Sequence, residues 1–570
     1  MRGTLLAIGI AIVIAMALTG TVHGAPSGGG GTAARNGQEL LSALRDGDDL
    51  RATALIGPGT DVNARDPNGA TPLMWAAKSG STDIVGRLLE AGAKPNLVCA
   101  DGLGPLQIAI ADHAGDAALL LLAKGASPNA RRANGETALM TAARTGQLEV
   151  MRQLIAQGGN INAHEHRFDQ TALMWSAGHP GQIKLLLEHG ANVKARTKSV
   201  TITNTLYKSP AARGGELEDE GVYVSRQGGQ SALFFAIQQN DLESVRRLIE
   251  AGASVNERAA DGSTPLLRAL HKWDTVPSES LGSPRAPAFA PNLEIANYLL
   301  DRGASATATN SVGYTPLHGA VLALIPETPS WVVPKYDLPL PHAKAPVDPN
   351  AGMALIKRLL DLGADPNAVT RYPLAGPVGL VWLDPVVRGS SPLHIAAYSH
   401  HTTVVGLLLD RGGDPNLMRP DGHTALSLAT KANDLLAVKL LVAHGADLRR
   451  IYDPTDMIND FFKSAGQGTA ISRSPRHHET LLHIAAVSGA ADVVAFLVEQ
   501  GVSPSAKNDR GETPLMMADT EEQRRYALET RETVTHSANP HAVRSTATSD
   551  AIRKAMGLEP IASPAGAPTS

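Results

Sequence analysis

The stretch Thr71-Pro72-Leu73-Met74-Trp75-Ala76-Ala77 reads as the start of a short helix that presses closely against a neighbour. The Thr71 hydroxyl is suited to cap the first turn, and Pro72 falls at the first helical position, where a missing N–H costs nothing. Gly69, two residues upstream, signals a tight turn. Ala76 and Ala77 are small enough to let a second helix approach. Val85-Gly86-Arg87-Leu88-Leu89 supplies that helix, and Gly92 stops it.

The same phrase returns at Gly104-Pro105-Leu106, Thr137-Ala138-Leu139, Thr171-Ala172-Leu173, Ser231-Ala232-Leu233 and Thr264-Pro265-Leu266. It continues at Thr315-Pro316-Leu317-His318, Ser391-Pro392-Leu393-His394, Thr424-Ala425-Leu426, Thr480-Leu481-Leu482-His483 and Thr513-Pro514-Leu515. The eleven anchors are separated by 33, 33, 34, 60, 33, 51, 76, 33, 56 and 33 residues, a period of 33 with four enlargements. An earlier, degraded copy lies between Leu40 and Asn63, where Asp61-Val62-Asn63-Ala64-Arg65-Asp66 repeats the unit's ending and brings the number to about twelve. Nine anchors have Gly two residues upstream. Thr171 and Thr480 lack it, and the Thr171 unit is two residues short near Gly178-His179-Pro180-Gly181, so both units are expected to be irregular.

Period, T-P-L-H anchor and the closing Gly363-Ala364-Asp365-Pro366-Asn367 resemble the ankyrin repeat over roughly residues 40–520. The chain is also similar to exported bacterial ankyrin-repeat proteins with loop insertions, a group whose activity the resemblance leaves undefined. The fold implied is all-α: a solenoid of helix-turn-helix units with β-turn or hairpin fingers and long insertions. Each unit buries its faces only against its neighbours, so the two ends need caps, expected at Leu40–Ile56 and Glu521–Glu532. The resemblance places a concave binding face on the residue before each anchor and on the residues after the Ala pair. Here those positions vary while the anchors do not. The candidates are Tyr314 and His423 before anchors, with Glu136, Gln230 and Glu512 at the same place, and Lys78, Arg144, Gln238, His271, Lys272, Tyr398 and Lys431 after them. Arg and aromatic residues dominate binding energetics in such grooves.

Individual character lies in the insertions. Those near 197–228, 371–388 and 450–477 fall between units and lengthen the turn edge. The first carries strand-like Val200-Thr201-Ile202-Thr203 and Tyr223-Val224, so a β-hairpin finger is expected. Those near 274–291 and 325–350 lie between the first and second helices of consecutive units. Both are Pro-rich, and Trp331 and Tyr336 in the second are further candidates for partner contact. Trp273 and Trp382 complete a set of aromatic residues that would serve the alternative reading, a glycan or small-ligand module.

The termini read differently. Arg2 precedes an apolar run from Leu5 to Leu18, and Val22 and Gly24 are the small residues of a cleavage site, so residues 1–24 read as a secretory signal. Fourteen helical residues rise about 21 Å, short of the roughly 30 Å hydrocarbon core. Export to the periplasm or the medium is expected, with an N-terminal membrane anchor as the alternative if the signal stays. Residues 25–37 read as a Gly-rich flexible linker, 38–532 as the repeats, and 533–570 as a mostly disordered tail rich in Ala, Pro, Ser and Thr, with a short helix at Ser549–Met556.

Chemistry is sparse. Lys and Arg number 51 against 55 Asp and Glu, so no strong positive field points to nucleic acid. A single cysteine, Cys99, excludes a disulfide framework and any Cys-based zinc or haem site. It occupies a turn position and is expected to be partly exposed and oxidisable, without a redox role. His478-Glu479-Thr480-Leu481-Leu482-His483 has its two His five apart, against the four that put two ligands on one helical face. His318, His394 and His483, at the fourth anchor position, read as scaffold; His164-Glu165-His166 and His400-His401 lack a third ligand. No phosphate cradle or nucleophile elbow occurs. The expectation is a monomeric, non-enzymatic scaffold without cofactor or metal, binding a protein partner along its concave face and adjacent Pro-rich loops.

Overall fold

The computed structural model describes residues 32–204, 223–270, 291–324, 347–370, 389–419, 422–452, 478–520 and 546–559. They fall into two bodies, which part within the Thr264 unit. In the first, helices Thr32–Asp46 and Asp49–Leu55 precede the pairs Pro72–Ser79 with Thr82–Glu90, Pro105–Ala111 with Gly115–Ala123, Ala138–Thr145 with Leu148–Ala156, Ala172–Trp175 with Pro180–Glu188, and Ala232–Gln238 with Leu242–Glu250. In the second, the pairs are Pro316–Ala323 with Pro349–Asp361, Pro392–Tyr398 with Thr402–Asp410, Ala425–Lys431 with Leu435–Ala443, and Leu481–Ser488 with Ala491–Glu499. Within each body first helices pack on first helices and second helices on second helices, giving two layers of a helical solenoid.

The anchors act as read. The hydroxyls of Thr71, Thr137, Thr315, Ser391 and Thr424 accept from the backbone N–H three residues on, at 3.3–3.4 Å. Ala76, Ala77, Ala142, Ala143, Ala396 and Ala397 are fully buried between the layers, and Ile84, Val85 and Leu88 fill the same seam from the second helix. Each such Leu or Ile contributes about 1.5–3 kcal/mol over its exposed state.

One rule of the turn between the two helices was hidden in the sequence. The residue nine after the anchor is left-handed in seven units: Gly80, Gly146 and Gly489, but also His113, Asn240, His400 and Asn433, with φ between 54° and 82°, whereas Leu324, just before the 325–350 insertion, is right-handed. Asn and His are among the non-glycine residues that tolerate this region best, which accounts for their presence there. The Thr171 unit reaches its left-handed residue, Gly178, two positions early. Its first helix is correspondingly only four residues long, and the Thr171 hydroxyl is buried without a partner. The Thr480 unit is regular, contrary to expectation, because the His483 ring secures its anchor.

Two ladders tie unit to unit. Asn63, Asn96, Asn129 and Asn162 in the first body, and Asn367 and Asn416 in the second, each donate Nδ2–H to a glycine carbonyl of the next unit at 2.9–3.1 Å. Each also accepts on Oδ1 from a backbone N–H two residues past that glycine, at 2.7–2.8 Å. A short carboxamide supplies donor and acceptor together, which explains the recurrent Asn. In the second body His318, His394 and His483 place Nδ1 on their own anchor hydroxyls at 2.7–2.9 Å, and Nε2 on the carbonyls of Ser390, Leu417 and Glu512 at 3.0–3.1 Å.

The between-unit insertions leave and return at bonded points. Thr197 pairs with Gln230 and Gly229, Thr370 with Ser390, and Tyr452 with Glu479. Val200–Asn204 and Tyr223–Gln227 continue the first of these as a two-stranded sheet. Asn367 reaches Gly412 and Asp414 across the 371–388 insertion, so the ladder of the stack runs past it. Lys194 and Arg449 stand where Asn would be, just before the other two enlargements.

Three boundaries move. The first helix begins at Thr32, inside the stretch read as a linker, because Leu40, Leu41 and Leu44 bury one face of it. The second helix after the 325–350 insertion starts at Pro349, capped by Asp348. The short helix expected at Ser549–Met556 runs instead over Ala547–Ala555; it packs on Ala491–Glu499 and buries Ile552, thereby covering the last complete unit. The expected caps at 521–532, the signal 1–24 and most of the insertions lie outside the described residues.

Candidate protein-binding face

Lys78, Arg144, Gln238 and Tyr398 stand seven residues after their anchors, one position in the register of the repeat, and all four are half-buried. In the first body this register meets the aromatic residues four after the anchors. Lys78 Nζ lies 5.4 Å from the centre of the Trp75 ring, and the Arg144 guanidinium 5.2 Å from that of Trp175, the next unit's counterpart. Both tryptophans are partly exposed. Trp175 is fixed from behind by its Nε1–H, which donates to Gln170 Oε1 at 2.8 Å.

Behind Arg144 lies a buried carboxylate. Glu136 is 3% exposed; it accepts from the Thr141 hydroxyl at 2.9 Å and meets Arg132 at 3.2 Å and Arg144 at 3.5 Å. Arg132 is shared with Asp101 at 3.1 Å. Burial pulls the Arg144 pKa below the ordinary arginine value, with Glu136 opposing the shift. In the unit between Lys78 and Arg144, burial raises the pKa of Asp112 and Lys78 opposes it. The result is a face of cations laid on aromatic rings, partly desolvated and held from below.

Other candidates fall elsewhere. Tyr314 and His423 are 3% and 4% exposed and are not contact residues. At these two anchors the side chain turns into the stack: Tyr314 lies against the His318 ring at 5.6 Å, and His423 Nδ1 bonds the Ser427 hydroxyl at 3.0 Å, whereas Gln230 and Glu512 at the same place are half-buried. His271, Lys272, Trp331 and Tyr336 lie outside the described residues. Trp75 and Trp175 were not singled out from sequence, although their shared place four after the anchor was a signal for them.

Cys99 is half-buried. Its Sγ donates to Asp101 Oδ1 at 2.8 Å, and burial, with that carboxylate, pushes its pKa up to about 11. The expected ready oxidation is thereby opposed. At pH 8 iodoacetamide is expected to label Cys99 about 100-fold more slowly in the folded chain than in urea, because a shift of roughly two pKa units removes that share of thiolate. Equal rates would show that the thiol is not held. His478 Nδ1 meets Asp509 at 2.7 Å. Among the described residues no group of three or more His, Cys, Asp or Glu is placed to hold a metal ion, and no helix is long and apolar enough to cross a membrane.

Family models described as "Ankyrin repeats (3 copies)" match residues 40–132, 116–197 and 349–451, "Ankyrin repeats (many copies)" matches 233–273, and "Ankyrin repeat" matches 477–509. The chain is similar to palmitoyltransferase ZDHHC13 of Homo sapiens, 30% identical over 141 residues, 23% of each protein. It is similar to ankyrin repeat and IBR domain-containing protein 1 of Homo sapiens, 27% identical over 168 residues, 27% of this chain and 15% of the relative. To the E3 ubiquitin-protein ligase KEG of Arabidopsis thaliana it is 24% identical over 350 residues, 56% of this chain and 19% of the relative. The chain thus spans less than a quarter of the length of each. These relatives are eukaryotic and lend nothing to the likeness with exported bacterial proteins.

Proposed function

The chain belongs to the ankyrin-repeat family, and from that premise we infer that it is a non-enzymatic scaffold which holds a protein partner on the first-helix face of its first body. Ankyrin repeats imply protein partners; the choice of face rests on one observation, the Arg144 guanidinium stacked on Trp175 above the buried Glu136 carboxylate. Arg and Trp are the residue types that carry most binding energy when they sit in partly desolvated, rigid settings. Lys78 on Trp75 and Gln238 extend the face to either side. Export is part of the reading, supported by Arg2, the apolar run to Leu18 and the small residues Val22 and Gly24.

The test is capture with the tagged full chain, expressed in its own cell and recovered from the exported fraction. Its mass is expected to show a cut after Gly24; retention of the first 24 residues in the membrane fraction would favour an anchor. A partner retained by the native chain is expected to bind about 30-fold more weakly to the Arg144→Ala and Trp175→Ala chains, a loss of about 2 kcal/mol each. Retention unchanged in both would remove the face from consideration.

A further inference from the structure

The Gly104 unit departs from its ten companions at the anchor itself. Where the others carry the hydroxyl of Thr or Ser, Gly104 has no side chain. A cleft of about 250 Å³ opens at this point on the turn edge, with Pro95, Val98, Leu106, Gln107 and Arg131 in its wall. Three of these are apolar. The Gln107 amide is engaged within the fold: Nε2–H donates to the Ala130 and Glu136 carbonyls at 3.3 and 3.2 Å, and Oε1 accepts from the Gly104 N–H at 3.4 Å. Gln107 is therefore a fixed wall. Arg131 is exposed, and among the described residues its guanidinium has neither ion pair nor hydrogen bond.

Size and charge narrow the occupant. Pockets that take whole cofactors or drug-sized ligands run to roughly 300–1,000 Å³, so this cleft suits one side chain. Apolar walls call for an apolar side chain, and an exposed arginine among the lining residues calls for a carboxylate. We propose that the cleft binds the C-terminal residue of a protein partner, an apolar side chain entering at Gly104 and the terminal carboxylate pairing with Arg131. This lies beyond the first-helix face, and either site can fail without the other.

The vacancy of the anchor supplies a clean block. A Cβ at Gly104 would lie 3.5 Å from Val98 Cγ1 and 3.6 Å from the Leu97 carbonyl, ordinary contact distances, and the backbone there is extended. Gly104→Thr therefore obstructs the cleft where the apolar side chain would enter, while restoring the cap that other units have. The probe is N-acetyl-leucine, titrated into the methyl-labelled full chain, with N-acetyl-leucinamide as the uncharged control. Saturable shifts are expected at the Val98 and Leu106 methyls, about fivefold weaker with the amide, as expected for loss of an exposed ion pair. Gly104→Thr should abolish the shifts and raise the thermal midpoint; Arg131→Gln should bring the acid down to the amide's affinity. Equal affinities for acid and amide, shifts that persist in Gly104→Thr, or no saturable shift would overturn the proposal. Arg131→Gln, at an exposed position, keeps it open to refutation even if Gly104→Thr folds poorly.

Discussion

Glu136→Ala is expected to lower the stability of the first body by about 3–5 kcal/mol, the range for breaking a buried ion pair by removing one partner. The carboxylate is the only anion that Arg144 meets among the described residues, and it also receives the Thr141 hydroxyl and one arm of Arg132. Arg132 keeps Asp101 after the change. Arg144 keeps only the Trp175 ring, with its side chain 18% exposed and its Nε already buried without an acceptor. Glu136→Gln retains an acceptor for Thr141 and should cost about 1–3 kcal/mol, the penalty of one unsatisfied buried group. Urea unfolding reads the totals. Hydrogen exchange should show the loss concentrated in the Gly104, Thr137 and Thr171 units, because each repeat depends only on its neighbours. A Glu136→Ala chain within about 1 kcal/mol of the native one would mean that the carboxylate does not hold the guanidinium, and the rigid setting argued for Arg144 would go with it.

Periodicity made the scaffold legible. Eleven anchors at a spacing of 33 identify first helices, and the strand-like text at Val200–Thr203 and Tyr223–Val224 identifies the paired base of a finger, because both signals repeat or alternate along the chain. What periodicity does not encode is where a turn aims its side chain. Glu136, Tyr314 and His423 look exposed from their variability, yet all three are buried, because each side chain finds a partner inside the stack: Glu136 the Thr141 hydroxyl, Tyr314 the His318 ring and His423 the Ser427 hydroxyl. His400 reads only as half of a His400-His401 cluster without a third ligand, yet its reason, shared with His113, is a backbone dihedral that no side-chain pattern reports. The pairing of Arg144 with Trp175 was likewise invisible, because the two belong to consecutive units and meet only through stacking. Their spacing, 31 residues, is the 34-residue interval between their anchors less the three-residue difference between their places in the unit.

His318 should make the second body acid-sensitive by about 3 kcal/mol. Complete burial lowers its pKa from 6.5 to about 4, against the bond to the Ser390 carbonyl and the Asp365 charge, which favour protonation. Nδ1 accepts from the Thr315 N–H at 3.3 Å, so the ring is satisfied when neutral with its proton on Nε2, facing Ser390. The folded ring thus stays neutral where the unfolded ring takes up a proton. Its stabilising contribution is full above pH 6.5, declines as pH falls from there to about 4, and changes no further once both states are protonated. At about 1.4 kcal/mol per pKa unit the loss is about 3 kcal/mol. The Gly104 unit shows how to remove this dependence without removing the bond. Gln107 occupies the same position there, accepts from its anchor N–H and donates to the next unit's carbonyl at Glu136. His318→Gln should therefore keep near-native stability at pH 7 and be the more stable chain at pH 4.5, whereas His318→Ala should lie about 2–4 kcal/mol below His318→Gln at both, from the vacated space and the unpaired Ser390 carbonyl. Urea unfolding of the three chains at pH 7, 5.5 and 4.5 decides it. A native chain whose stability relative to His318→Gln does not change between pH 7 and 4.5 would show that the ring is already accessible to protons, and that the unit-to-unit bond through Nε2 is not what burial protects.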